Sequence, residues 1–229
     1  MVIAGIQKTS LIDYPRKICT VLFTRGCNFS CGFCHNPELV KRSQYLPPMD
    51  NEEIYTLLKK RKRSIDAVTI TGGEPTLHRD LPQFIQKIKA MGYTVKLDTN
   101  GSNPDMLQHL LDHKLIGYIA MDVKNSPRKY QKTTNRNTDI NKIKKSTKVI
   151  MNSCIPYEFR TTVVPGLHTD KDFEAISKWL RGAKKYYLQR FRPAKTLDPT
   201  FSTINPFTQK EMTDFKNILE KYDIKAYIR

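Results

Sequence analysis

The chain has 229 residues, 39% of them hydrophobic and 27% charged, and its 39 Lys and Arg against 22 Asp and Glu give a net charge of +17. The composition excludes a disordered chain, and the length suits one domain with its own core, which we expect to span residues 1–229. No apolar run approaches the roughly eighteen residues of a membrane span and the N-terminus is too polar for a signal peptide, so we expect a cytoplasmic protein with no membrane partner.

Strand and helix patterns alternate along the chain. Apolar or β-branched runs predict six buried strands, at residues 17–26, 67–73, 94–101, 117–124, 157–166 and 186–193. Helical patterns follow each strand, at residues 50–62, 80–92, 103–115, 139–152, 170–182 and 208–222. The run at 224–229 is a candidate edge strand. Such alternation indicates a parallel sheet covered by helices, either open and doubly wound or an incomplete barrel, and both place ligands at the carboxyl ends of the strands.

Polar or metal-binding residues occupy the carboxyl end of every predicted strand. In strand order they are Cys27, Cys31 and Cys34; Gly72, Gly73 and Glu74; Asp98, Thr99 and Asn100; Asp122 and Lys124; Arg160; and Gln189, Arg190 and Arg192. Any one of them could be a turn or cap residue. Six sets in register at one end of a sheet indicate an active site.

Three of the five cysteines, Cys27, Cys31 and Cys34, lie within eight residues. An odd cysteine count with this clustering favours a metal or redox site over a disulfide framework. A zinc site would need His35 as its fourth ligand, although neighbouring residues rarely both reach one tetrahedral ion. A [4Fe–4S] cluster usually takes four thiolates. With only three, one iron stays open to a small molecule that carries its own amine and carboxylate.

The spacing Cys27-x3-Cys31-x-Phe33-Cys34 resembles the CxxxCxΦC signature of radical S-adenosylmethionine enzymes, in which Φ is aromatic, and TGGEP resembles the GGE motif of that superfamily. Longer segments are similar to one branch, the activating proteins of anaerobic ribonucleoside-triphosphate reductase. They are GIQKTSLIDYP, VLFTRGCNFSCGFCHNPEL, TITGGEPTL, VKLDTNGS, YIAMDVK, YEFRTTVVPGLHT and YYLQRF. The likeness covers nearly the whole chain, although Arg16 stands where this branch is expected to have a small residue.

The resemblance implies a partial (β/α)6 barrel and a reduced cluster that passes one electron into the sulfonium of S-adenosylmethionine. The bond between sulfur and C5′ then breaks, and the 5′-deoxyadenosyl radical takes a hydrogen atom from a glycine Cα of a partner enzyme. The implied partner is an anaerobic ribonucleotide reductase, whose glycine-bearing loop could enter the side of an unclosed barrel. A flavodoxin or ferredoxin is the expected electron donor, because these carriers are typically acidic and the chain is basic.

The resemblance also implies roles for single residues. Cys27, Cys31 and Cys34 hold the cluster; Phe33 approaches the adenine; Gly72 and Gly73, with Glu74 beside them, meet the methionine amine; Asp98, Asp122 and Lys124 hold the ribose and methionine ends. Arg160 pairs with the methionine carboxylate or forms a strand-end salt bridge. We expect Asp98 and Asp122 to face each other, with Lys124, the sulfonium or a bound monovalent cation balancing their charge.

Two other functions fit part of the sequence. A radical enzyme acting on a small purine-like molecule, such as a deazaguanine synthase, would share the cluster and cofactor but not the protein partner. A basic zinc-containing RNA-binding protein would stay colourless on reconstitution with iron and sulfide. No nucleic-acid-binding motif accompanies the Lys-rich segments, so nucleic acid is not an expected partner. Cys19 alternates away from the cysteine loop and Cys154 is remote from it, and both are predicted to be structural.

Overall fold

The fold is an open, mostly parallel sheet, seen in a computed structural model that describes residues 1–229. Its eight strands lie side by side in chain order: β1 Ile3–Ser10, β2 Cys19–Thr24, β3 Ala67–Gly72, β4 Thr94–Thr99, β5 Tyr118–Asp122, β6 Tyr157–Val163, β7 Tyr186–Arg190 and β8 Ala226–Ile228. β1 pairs antiparallel with β2, and every later pair is parallel. β1 and β8 do not pair, so the sheet is an incomplete barrel with one open side.

The six predicted strands are confirmed as β2 to β7, each shorter than predicted, and the candidate edge strand is confirmed as β8. β1 was not predicted. The segment begins with a short apolar run, but its residues 7–9 are polar and exposed. The apolar run is thus confined to the first half of the segment, and the pairing with β2 extends the strand to Ser10. The partial (β/α)6 barrel is therefore correct, with one further strand on each side.

Eight helices connect the strands: α1 Pro37–Val40, α2 Asn51–Lys60, α3 Leu81–Ala90, α4 Pro104–Asp112, α5 Tyr130–Thr134, α6 Ile140–Met151, α7 Asp170–Trp179 and α8 Gln209–Glu220. The six longer ones are those predicted. At the start of α2 the Asp50 carboxylate accepts from the Glu52 amide at 3.0 Å and so caps the helix. No helix combines the length and hydropathy that a membrane crossing requires.

The two faces of the sheet differ in polarity, and this difference positions the site. Leu22, Ile70, Leu97, Ile119 and Tyr157 form one row across five strands and are buried in the core shared with the helices. Because successive residues of a strand point to opposite faces, the intervening positions face the interior of the partial barrel. Several of those positions carry charged side chains, so polar groups line the interior.

The backbone conformation of the turn after β1 explains why a small residue is expected at the position of Arg16. Arg16 has a φ of 62°, a left-handed conformation that glycine adopts at lower cost than any residue with a Cβ. This explains why a small residue is expected there. The turn is held by Tyr14, which is buried with its ring 5.8 Å from the ring of Tyr118.

Candidate cofactor-binding site

The three clustered cysteines lie on a loop that follows β2 and is fixed by distant parts of the chain. The Ser30 amide donates to the carbonyl of Thr134 in α5 at 2.9 Å. The Leu197 and Asp198 amides donate to the carbonyls of Cys34 and Gly32 at 2.8 and 2.9 Å. Backbone bonds to two separate segments therefore hold the loop in one shape, as a ligand loop requires.

A cavity of about 230 Å³ opens between this loop and the carboxyl ends of the strands. It brings together ten of the eleven predicted site residues: Cys27, Cys31, Phe33, Cys34, Gly72, Gly73, Asp98, Asp122, Lys124 and Arg160. The eleventh, Glu74, does not line it. The alignment of strand ends thus collects residues that lie up to 133 positions apart, from Cys27 to Arg160.

Burial controls the state of the three thiols. It raises the pKa of Cys27 to about 12 and that of Cys31 to about 11, and it also raises the pKa of Cys34. Lys124 opposes the increase at all three positions. Since iron binds thiolates, loading the site releases protons, and the Lys124 ammonium stabilises the negative charge that results.

The donor set fits a [4Fe–4S] cluster better than a single zinc ion. No group of three or more His, Cys, Asp or Glu side chains converges to hold one metal ion. His35, the candidate fourth zinc ligand, stacks on Phe191 with ring centroids 5.7 Å apart, and its Nε2 lies 3.0 Å from the carbonyl oxygen of Arg192. Thiolates of a cubane cluster bind different irons and need not converge on one point. The arrangement supplies three thiolates to such a cluster.

Gly72 and Gly73 bring the end of β3 against the start of the cysteine loop. A Cβ on Gly73 would lie 2.0 Å from the carbonyl oxygen of Gly26, and one on Gly72 would lie 2.3 Å from the Thr24 amide nitrogen. The Gly73 amide donates to the carbonyl of Thr24 at 2.9 Å. These glycines therefore let two backbones touch, whereas their meeting with the methionine amine stays a prediction.

We expect Gly73→Ala to lose the loop geometry. The obstacle is backbone, which cannot rotate away, so the free energy of unfolding should fall by about 3 kcal/mol, the upper end for overpacking. Iron content after reconstitution should fall with it. Gly5→Ala is the matched control, because its Cβ would meet only Phe23 side-chain atoms at 3.7 Å or more. Equal iron content in the two variants would contradict the steric role of Gly73.

Glu74 is buried behind the cavity and does not line it, and its place among the cofactor-binding groups stays a prediction. Its side chain is fully buried. It accepts from Thr76 Oγ1 at 2.5 Å, Thr99 Oγ1 at 2.7 Å and the amides of Thr76 and Asn100 at 3.1 and 2.6 Å. Burial raises its pKa, and the hydrogen bonds oppose the increase. Glu74 thus joins the end of β3 to the end of β4.

A chain of alternating charges crosses the barrel interior beside the cavity. Arg160 donates from Nε to Asp122 at 2.9 Å and from Nη1 to Asp98 at 3.0 Å. Lys124 donates to the other oxygen of Asp122 at 2.9 Å, and Lys96 pairs with the other oxygen of Asp98. Burial alone would raise the pKa of Asp122, but Arg160 and Lys124 hold it well below its usual value.

Asp98 and Asp122 therefore lie on the same face of adjacent strands, as expected, but the charge between them is Arg160. The guanidinium occupies the place proposed for a monovalent cation. Because its Nε and Nη1 are committed to the two carboxylates, Arg160 forms the strand-end salt bridge that the sequence left open as an alternative to binding the methionine carboxylate. Burial alone would lower the pKa of Lys124, but the charges of Asp122 and Cys31 and the hydrogen bond to Asp122 act together and raise it.

Two residues at the site were not among those predicted. Lys96 is 2% exposed and lies two positions before Asp98, so it shares the same strand face; this spacing was the signal available. The side-chain amide of Asn100 donates from Nδ2 to Asn28 Oδ1 at 2.9 Å, and the same nitrogen lies 3.9 Å from Cys27 Sγ. It was noted only as a strand-end residue, and its approach to sulfur depends on the fold of the loop.

The remaining predicted residues are placed as follows. Phe33 lines the cavity, with its ring 6.2 Å from that of Phe201. Cys19 is buried beside Thr69, as expected. Cys154, which was also predicted to be structural, is exposed and lines a groove beside α6. It therefore does not pack in the core. Arg190 and Arg192 do not line the cavity and border a separate groove.

Comparison with known sequences gives a matching family and named relatives, two of which are described below. The model of the radical SAM superfamily matches residues 21–180. A protein of Methanocaldococcus jannaschii, named "putative glycyl-radical enzyme activating enzyme", is 34% identical over 232 residues, covering 99% of this chain and 95% of that protein. A "probable GTP 3′,8-cyclase" of Saccharolobus solfataricus is 40% identical over 111 residues, but these cover only 48% of this chain and 34% of the cyclase.

Solved structures share the fold at low sequence identity. A domain of pyruvate-formate lyase-activating enzyme from Bacteroides vulgatus has a TM-score of 0.57 at 17% identity and covers 72% of this chain and 99% of that domain. Streptococcus suis SuiB bound to S-adenosylmethionine has a TM-score of 0.67 at 12% identity and covers 91% of this chain and 51% of SuiB. The family match, the near full-length relative and the three-cysteine loop agree: the chain belongs to the radical SAM superfamily, whose enzymes use a [4Fe–4S] cluster and S-adenosylmethionine.

Proposed function

We propose that this protein generates a glycyl radical on a partner enzyme, and that the partner is an anaerobic ribonucleotide reductase. The main support is the 34% identity with a named glycyl-radical enzyme activating enzyme over 99% of the chain. When bound, the cluster and S-adenosylmethionine supply the radical that abstracts a hydrogen atom. The chain's own residues bind these groups, orient them and keep water away.

In this proposal each cavity residue has a defined task. Cys27, Cys31 and Cys34 bind the cluster, and Lys124 balances its negative charge. Phe33 packs against the adenine. Gly72 and Gly73, where no side chain intervenes, receive the methionine amine, and Asp98 and Asp122 hold the ribose and methionine ends. Arg160 and Lys96 fix the two carboxylates, so that these groups are oriented before the cofactor arrives.

The open side of the barrel supports a protein substrate. A second cavity of about 430 Å³ lies in the interior, between the turn after β1 and the end of β8, and Arg160 borders both cavities. Asp13 and Arg229 line it together with buried interior charges. An extended segment entering there would pass polar groups able to bond its backbone. Hydrogen transfer needs reacting atoms held at roughly 3–3.5 Å, and a glycine has no side chain to prevent that approach.

The test is electron paramagnetic resonance on the reduced protein mixed with S-adenosylmethionine and an anaerobic ribonucleotide reductase. We expect a doublet from coupling to the glycine α-hydrogen. The doublet should collapse to a singlet when the reductase carries glycine deuterated at Cα. A reductase with the acceptor glycine replaced by alanine is the matched control and should give no signal.

A second assay separates the proposal from a purine-directed reaction. The same reduced protein is incubated with GTP and other purine nucleotides, and products are followed by mass spectrometry. We expect only uncoupled cofactor cleavage. Turnover of a purine, with no radical on any reductase tested, would contradict the proposal and favour the small-molecule function.

A further inference from the structure

A further groove, here called the outer groove, borders the cysteine loop and is distinct from the cofactor cavity. It has a volume of about 690 Å³. Its lining includes Gly26, Ser30 and Gly32 of the loop and the partly buried ring of Tyr45. None of the interior charges of the barrel lines it.

Only a thin wall separates this outer groove from the cofactor cavity. Cys27 and Val40 line both spaces. A group bound in the outer groove would therefore approach a cluster ligand directly, without entering the cavity. Gly32 adds to the thinness of the loop, and a Cβ there would lie 2.5 Å from the ring of Phe201.

The rim of the outer groove is basic and exposed. Lys41, Arg42 and Arg136 are exposed at its edge, and none of the three forms a salt bridge. One acidic residue, Asp198, is also present and is exposed. Leu77, 44% exposed, supplies an apolar spot. Small basic rims around an apolar centre suit transient, electrostatically steered contacts.

We propose that the outer groove is the docking site for a small acidic protein that carries single electrons, and that this carrier reduces the cluster through the wall at Cys27. The inference rests on the proposed function, which requires a reduced cluster. Charge complementarity favours this occupant over the radical-accepting enzyme, whose glycine must reach the inner cavity. Because the two faces differ, the carrier and S-adenosylmethionine can be bound together.

The electron balance is simple when the carrier is a flavodoxin. Its flavin hydroquinone anion gives up one electron and becomes the neutral semiquinone. The oxidised cluster, [4Fe–4S]²⁺, takes up that electron and becomes [4Fe–4S]¹⁺. No bond in this protein is made or broken, so the groove needs only to hold the flavin edge close to Cys27 for the lifetime of the encounter.

The test compares two charge-reversal variants of the reconstituted holoprotein. The first carries Lys41→Glu, Arg42→Glu and Arg136→Glu. The control carries Lys59→Glu, Lys60→Glu and Arg63→Glu, which make the same charge change at exposed positions at the end of α2 and just beyond it. Stopped-flow absorbance follows cluster reduction by flavodoxin hydroquinone, and fluorescence anisotropy measures the flavodoxin dissociation constant.

We expect the groove variant to slow reduction by flavodoxin about tenfold or more, the scale of electrostatic steering, and to weaken binding. The control should change either quantity less than about twofold, because charges beyond a Debye length of roughly 8 Å are largely screened. Reduction by dithionite and iron content should stay unchanged in both variants, which shows that folding and the cluster are intact. High salt should slow wild-type reduction by flavodoxin much more than reduction by dithionite.

Equal slowing in both variants would overturn the proposal in favour of a general basic surface, and no slowing in either would remove the groove as the docking site. Neither readout involves the radical-accepting enzyme. A failure here therefore leaves the glycyl-radical assay unaffected, and a failure of that assay leaves this measurement intact.

Discussion

Alanine at any one of Cys27, Cys31 and Cys34 should remove the cluster and reduce S-adenosylmethionine cleavage to background. The wild-type protein, reconstituted anaerobically, should hold about four irons per chain, as one [4Fe–4S] cluster requires. The three thiols are the cysteines that line the cavity, and a cluster that usually takes four thiolates has none to spare when only three are present. Iron and sulfide analysis, with the visible absorbance of the cluster, measures the loss.

Cys19→Ala/Cys154→Ala is the matched control and should keep the full iron content and the cleavage rate. Cys19 is buried in the smaller core cluster with Tyr14 and Val21, and Cys154 is exposed near α6. Loss of iron in this double variant would mean that a fourth cysteine binds the cluster. That result would contradict the open iron on which the assignment of S-adenosylmethionine binding depends.

Replacing Arg160 by Met should destabilise the protein by about 3 kcal/mol, as expected for removing one partner of a buried ion pair. Asp98 and Asp122 would each lose a charge-assisted hydrogen bond and would face each other without a positive group between them. Affinity for S-adenosylmethionine should also fall, because both carboxylates line the cofactor cavity. Urea unfolding at neutral pH gives the first quantity, and isothermal titration of the reconstituted protein gives the second.

The same pair of proteins gives a pH test. In the wild type the pKa of Asp122 is held below its usual value of 3.8, so its charge stabilises the fold above that pH and the stabilisation is lost as pH falls below it. Arg160→Met removes the strongest opposing charge and returns the pKa of Asp122 towards its usual value. The difference in unfolding free energy between the two proteins should therefore shrink below pH 3.8. Alanine at all three cluster cysteines in both proteins prevents iron loss at low pH from affecting the result.

The effect of potassium on stability tests whether Arg160 alone, or a bound cation as well, supplies the positive charge between Asp98 and Asp122. Potassium chloride should partly restore the stability of Arg160→Met, because the space left by the guanidinium is lined by hard carboxylate oxygens. Choline chloride at the same ionic strength should not restore it. The wild type should respond equally to both salts. A wild type stabilised specifically by potassium would mean that a cation shares the site with Arg160.

The sequence by itself determined the family and most of the sheet, and it was enough to propose the cluster ligands. The spacing of Cys27, Cys31 and Cys34 is local, and a single loop brings three such thiols together whatever surrounds it. Apolar runs and helical periodicity indicate which face of an element is buried. They were therefore sufficient to predict β2 to β7 and the six longer helices in chain order. Parallel strands place their carboxyl ends together, which is why ten of eleven site residues were found at one cavity.

Only the tertiary structure decided which of these groups contact each other. Arg160 meets Asp98 and Asp122 across 62 and 38 positions of the chain, and that pairing depends on strand order and register, which local patterns do not encode. The Glu74 carboxylate is buried where it accepts hydrogen bonds from Thr99 and Asn100 at the end of the next strand. The glutamate of the motif therefore links two strand ends. β1 shows the same limit, because its apolar start is followed by exposed polar residues, and the whole segment becomes a strand only by pairing with β2. The outer groove needed α5 and the segment near Asp198 to fold back against the loop, since a surface built from segments distant in sequence exists only after the chain has packed.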